Sequence, residues 1–150
     1  MSNPPIKPED RKKVAKLAGG CCEYCKCPAR FSADPFSVEH IIPRSKGGTN
    51  ELDNLAWACQ GCNNHKYVSI DAIDPVTGEM APLFHPRRQS WTDHFAWNED
   101  LTLVIGITPT GRATVGKLQI NRDGIVNLRR VLVAAGEHPL LGTTIDDLPE

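Results

Sequence analysis

The chain has 150 residues, 40% of them hydrophobic and 23% charged, a size and balance that fit one globular domain or two small units around a shared core. No apolar run approaches the ~20 residues that span a bilayer, and the start Met1-Ser2-Asn3-Pro4-Pro5 lacks the apolar stretch of a signal peptide, so no membrane partner and a cytoplasmic location are expected. The formal net charge of -1 hides an asymmetry: residues 1 to 70 carry ten basic against seven acidic side chains, whereas the last fourteen residues carry four acidic and no basic ones, so phosphate binding remains open for the first half.

Pro8, Glu9 and Asp10, then Lys12, Lys13 and Lys16, then Gly19-Gly20, read as a short helix with proline in its first turn, charges matched to its dipole and glycine past its end. Val14, Leu17 and Ala18 give it one narrow apolar stripe, which turns the lysines outward. Phe36 to Ile42 alternates and is β-branched, a strand stopped by Pro43; Arg44 to Thr49 is a glycine-containing loop; Leu52 to Ala58 is a second strand. A helix is expected from about Gly61 to Ile73, where Asp74-Pro75 breaks it. Leu101 to Ile107 reads as a strand, Pro109-Thr110-Gly111 as a turn, and Ala113 to Ile120 as the returning strand of a hairpin. Asn121 is expected to cap a last helix to about Ala135, with Ile125, Leu128, Val131 and Leu132 on one face and Gly136 at its end. The residues from about Thr143 are expected to fray.

All six cysteines lie between Cys21 and Cys62, which points to one local site rather than to a disulfide framework. Cys22-Glu23-Tyr24-Cys25 and Cys59-Gln60-Gly61-Cys62 are two C-x-x-C knuckles with 33 residues between them. Four thiolates so arranged suit tetrahedral Zn²⁺, and a closed shell of this kind is structural because it leaves no position for substrate. Cys21 and Cys27 lack the spacing and read as free thiols or neighbours of the site.

Between the knuckles stand Glu39-His40-Ile41-Ile42-Pro43, Gly47-Gly48 and Asn54-Leu55, and directly after them Asn63 and Lys66. Together, over residues 22 to 66, these closely resemble the HNH endonuclease family. The resemblance implies a ββα-metal core that holds one divalent ion, Mg²⁺ or Mn²⁺, and hydrolyses DNA phosphodiester bonds to 5′-phosphate and 3′-hydroxyl ends. It makes His40 the general base, Asn54 the residue that steadies the base's loop, and Asn63 a metal ligand where other members carry histidine. Glu39 falls where many members have a ligating aspartate. Strand alternation sets Glu39 and His40 on opposite faces, so a salt bridge from Glu39 to a base such as Arg44 or Lys46 competes with a ligand role. His65, about 200° round the helix from Asn63, is the lesser candidate for the metal and is expected at the surface.

The chemistry agrees with the name: phosphodiester hydrolysis needs a base, a cation to offset charge in the transition state, and a scaffold for both. Arg44, Lys46, Lys66, Arg87 and Arg88 are candidates for phosphate contact. The segment from Leu83 to Trp97 collects two of the three tryptophans, with Trp57 on the second strand; Trp91, Phe95 and Trp97 are expected to pack the later elements on the core. Arg129 and Arg130 read as surface charge. The expected architecture is α+β: a zinc-stapled ββα-metal core with an N-terminal helix in residues 1–75, and a β-hairpin plus helix in residues 76–150, packed as one domain. The competing reading is a non-catalytic zinc module that binds nucleic acid or a protein partner.

Overall fold

The computed structural model describes residues 6–139. The fraying expected from Thr143 lies outside them. Among the described residues, five α-helices and three two-stranded antiparallel sheets make an α+β fold.

Helix α1 (Pro8–Leu17) forms where proline and the charge pattern place it, with Glu9 and Asp10 in its first turn and Lys16 in its last. Val14 is fully buried and Lys12, Lys13 and Lys16 are exposed, but Leu17 is exposed as well, so the buried stripe is narrower than the pattern indicates. Arg11 lies over the Trp57 ring at 4.8 Å and donates to the Phe36 carbonyl at 2.6 Å, which fastens α1 to the central hairpin.

That hairpin pairs β1 (Ser37–His40) with β2 (Leu55–Ala58), His40 opposite Leu55 and Glu39 opposite Ala56. Both strands are shorter than expected. Ile41 and Ile42 leave the ladder because Asn54 takes over their pairing, its carbonyl accepting from Ile41 N and its side chain from Ile42 N. Residues Leu52–Asn54 form a 3₁₀ turn rather than the start of a strand. Helix α2 (Gln60–Lys66) opens on Cys59, whose sulfur accepts from Cys62 N at 3.4 Å.

The expected continuation of α2 to Ile73 is incorrect. The chain leaves the helix at Tyr67 and forms β3 (Asp71–Ile73), which pairs with β4 (Met80–Pro82); Asp74-Pro75 is the turn of this hairpin, not a helix stop. Helix α3 (Trp91–His94) leads into β5 (Phe95–Trp97), whose partner is β6 (Val104–Gly106). The C-terminal hairpin exists, but the strand that pairs with the 101–107 segment precedes it. The expected turn at Pro109-Thr110-Gly111 and most of the expected returning strand, Ala113 to Ile120, are instead helix α4 (Pro109–Leu118), capped by the Thr108 hydroxyl accepting from Gly111 N at 2.9 Å, with Pro109 in its first turn. Gly111 permits this packing, since a Cβ there would lie 2.0 Å from the His94 carbonyl oxygen.

Helix α5 (Asp123–Ala134) ends before Gly136 as expected, but Asn121 does not cap it; its amide instead bonds both Val104 N and Val104 O. Val131, assigned to the buried face, is exposed. Trp91, Phe95 and Trp97 pack as expected, with ring centroids of Trp91 at 5.1 Å from Phe95 and 5.5 Å from Trp97, while Trp91 Nε1 donates to the Tyr24 carbonyl. One hydrophobic cluster runs from Val14 through Tyr24, Leu55 and Phe84 to Leu118 and Ile120, so both halves of the chain share it.

Candidate active site and zinc centre

The first knuckle is shaped by Lys26, which at φ 66° turns the chain so that Lys26 N returns to Cys22 O and Cys22 N to Cys27 O. The second is the cap of α2. These two turns bring the sulfurs of Cys22, Cys25, Cys59 and Cys62 within 4.8 Å of one another, all four residues buried. Tetrahedral Zn–S bonds of about 2.3 Å require sulfurs about 3.8 Å apart, and Cys25 Sγ stands 3.7 Å from Cys59 Sγ. Burial pushes the Cys22 thiol well up, whereas the neighbouring sulfurs of Cys22, Cys25 and Cys62 draw Cys59 down. Four thiols crowded in this way resolve their conflict by sharing a cation, so the donor set fits zinc.

Cys21 and Cys27 stand outside the cluster, and burial pushes the Cys27 thiol up to about 12, that of an inert core sulfur. Arg122, which nothing in the motif flags, donates to Cys59 Sγ at 3.2 Å and lies 3.7 Å from Cys62 Sγ. Its positive charge offsets part of the net negative charge that four thiolates leave on a divalent ion.

The β1–β2 hairpin and α2 enclose a cleft of about 350 Å³ lined among others by Glu39, His40, Arg44, Ser45, Asn63 and Tyr67. His40 Nε2 is 2.6 Å from Asn50 Oδ1. An amide oxygen only accepts, so the ring donates from Nε2, and in the neutral imidazole this tautomer leaves the Nδ1 lone pair for another proton. Asn54 holds the loop that carries Asn50: its Nδ2 donates to Ile42 O at 2.9 Å and to Thr49 O at 2.8 Å. Gly48 makes the loop close enough for this, because a Cβ there would meet Ile42 O at 1.7 Å and Asn54 Nδ2 at 2.8 Å. Asn50 is a site residue that the sequence reading passed over; a polar residue after a Gly-Gly turn signals a loop and nothing more.

Glu39 lines the cleft beside His40. Its carboxylate is buried, accepts from Tyr24 Oη at 2.7 Å and lies 2.5 Å from Lys66 Nζ. The base that pairs with it is therefore Lys66 instead of Arg44 or Lys46. Burial pushes the Glu39 carboxyl up, and the Lys66 ammonium beside it pulls the other way. Lys66 also donates to Ile41 O at 2.8 Å and is 1% exposed, which corrects its assignment to a DNA phosphate. Arg87 is corrected too. It pairs with Glu23 and donates to Leu55 O at 2.9 Å, and Glu23 in turn accepts from Trp57 N, so this arginine braces the knuckle against β2.

Arg44, Lys46 and Arg88 are exposed; Arg44 lines the cleft, Lys46 donates to Val68 O at its rim, and Arg88 is not among the lining residues. His65 is partly buried and does not line the cleft either. Arg129, expected at the surface, is buried and donates to the carbonyls of Cys25, Thr102 and Ile120. Among the described residues no second group of three His, Cys, Asp or Glu side chains converges as the cysteines do, and no helix is long and apolar enough to cross a membrane.

A hairpin and helix stapled at one end by four cysteines, with an oriented histidine and an asparagine on a cleft at the other, define a ββα unit with a possible zinc site. Residues 22–69 match the family model described as HNH endonuclease, so that segment is similar to this family. The family is one of nucleases. No curated protein matches the chain.

Proposed function

We propose that the protein is a metal-dependent endonuclease that hydrolyses DNA phosphodiester bonds and leaves 5′-phosphate and 3′-hydroxyl ends. The observation that carries this reading is that His40 and Asn63, from different elements, line one cleft while Asn50 fixes the imidazole. His40 Nδ1 takes a proton from water placed in line with the leaving 3′ oxygen. Arg44, exposed at the same cleft, holds a flanking phosphate oxygen.

The Asn63 amide oxygen suits a hard ion, Mg²⁺ or Mn²⁺, which keeps several waters and takes its remaining ligands from phosphate; when bound, it neutralises charge developing on the phosphate and the leaving oxygen. Glu39 joins that ligand set only by releasing Lys66, so Asn63 is the principal protein ligand here. Zinc belongs to the four cysteines and is structural.

The test is a plasmid-nicking assay with Mg²⁺ or Mn²⁺ that compares wild type with His40→Ala. The variant should keep its zinc and its fold while cleavage falls by ~10² to 10⁴-fold, the contribution of a general base. Equal nicking by both proteins would overturn the mechanism. DNA binding without metal-dependent cleavage in wild type would identify a non-catalytic zinc module.

A further inference from the structure

Tyr67 directly follows α2, lines the cleft, and is 76% exposed, an unusual degree for an aromatic side chain. Its backbone sits at φ 49°, ψ -121°, a region that residues with a Cβ rarely occupy. Such strain persists only where the surroundings impose it, and here they do so on both sides. Lys66 is locked beneath the hairpin by Glu39 and Ile41 O. Tyr67 N donates to Asn63 O, Ser69 N to Lys66 O, and Lys46 Nζ to Val68 O. The chain is thus pinned before, at and after Tyr67, and what the pinning presents to solvent is a large ring at the mouth of the site. Core packing gives no reason for an aromatic residue here.

We infer that Tyr67 stacks on an unpaired nucleobase beside the phosphate held in the cleft, so that the preferred substrate is DNA whose strand is locally open at the cut. This rests on the nuclease reading for the phosphate's position. A ring offers every base a face, so the contact favours single-stranded over paired DNA without selecting a sequence.

The experiment measures binding of the zinc-loaded full chain, with no other divalent ion added, to a short single-stranded oligonucleotide and to an all-abasic oligomer of equal length. Wild type should prefer the base-bearing strand. Tyr67→Gly should erase that preference, with Kd for the base-bearing strand rising about 5- to 150-fold, the range that one stacked base is worth. Its melting temperature should be unchanged or higher, because glycine relieves the strained backbone. Tyr67→Phe should bind like wild type.

Equal binding of the two oligomers by wild type, retained preference in Tyr67→Gly, or a loss in that variant that is the same for both oligomers would each overturn the inference. Nicking assays on the same preparations separate it from the nuclease reading. Base-dependent binding without metal-dependent nicking would remove the activity and leave the stacking contact; nicking with base-independent binding would remove the contact alone.

Discussion

The proposed role of His40 as a base needs its ring held in one orientation, and the contact of Nε2 with Asn50 Oδ1 does the holding. Asn50→Ala should therefore leave the imidazole in place but misdirected, lowering kcat with little change in KM and no loss of zinc; steady-state nicking kinetics would show the split. The Glu39–Lys66 pair responds differently. Glu39→Ala strands a buried ammonium and should lower unfolding free energy by about 3–5 kcal/mol, whereas the double substitution Glu39→Leu with Lys66→Met, which removes both charges at once, should restore most of it. Urea titrations of the two variants would check this. A salt bridge from Glu39 to a basic side chain was legible in the sequence. The partner was not, because Lys66 approaches β1 through the packing of α2, which no local spacing encodes.

At the scale of elements, the β3–β4 hairpin is tied to α4 by one carboxylate. Asp74 accepts from Arg112 Nε at 2.8 Å and Nη2 at 2.9 Å while also accepting from Val76 N and the Thr77 hydroxyl. The Arg112 hydrogen bonds hold the Asp74 carboxyl well below the usual carboxylate range. A depressed folded-state pKa stabilises fully above the unfolded value of ~3.9 and loses that contribution as pH falls toward the folded value. The urea midpoint should therefore fall below about pH 4 in wild type, and Asp74→Asn should lower it at neutral pH and flatten the acid slope. An unchanged acid slope in Asp74→Asn would remove Asp74 from this account.

The same region shows where sequence patterns mislead. Thr114, Val115 and Ile120 are β-branched and look like a strand, yet Thr108-Pro109 is also a cap followed by a first-turn proline, and contacts with β6 and α2 decide for helix. The knuckles and α1 were readable because each is set by residues close in sequence, and the central hairpin because β-branched residues and Pro43 mark its first strand. The helix-to-hairpin change after Lys66 was not, since β3 is defined only by its pairing with β4.

For the molecule as a whole, zinc would join segments 33 residues apart on the wall of the shared core. Cys59→Ser removes both a ligand and the sulfur that caps α2, so it should lower the melting temperature together with zinc content and cleavage. A variant that melted like wild type with a full complement of zinc would refute the four-cysteine site. The motif was visible in the sequence because its spacing is local; the arginines that support it were not, since Arg87, Arg122 and Arg129 lie up to about a hundred residues away in the chain.

Those three arginines bear on how far the segment that matches the family is portable. Glu23 loses its ionic partner, Cys59 its guanidinium donor and the Cys25 carbonyl one of its hydrogen bonds if the chain is cut after Pro75. The part that matches the family is therefore not a cassette that could be excised or grafted onto another scaffold intact. A fragment of residues 1–75 should bind zinc through its knuckles yet give poorly dispersed amide resonances, and adding residues 76–150 as a separate chain should restore dispersion only if the three arginines are present.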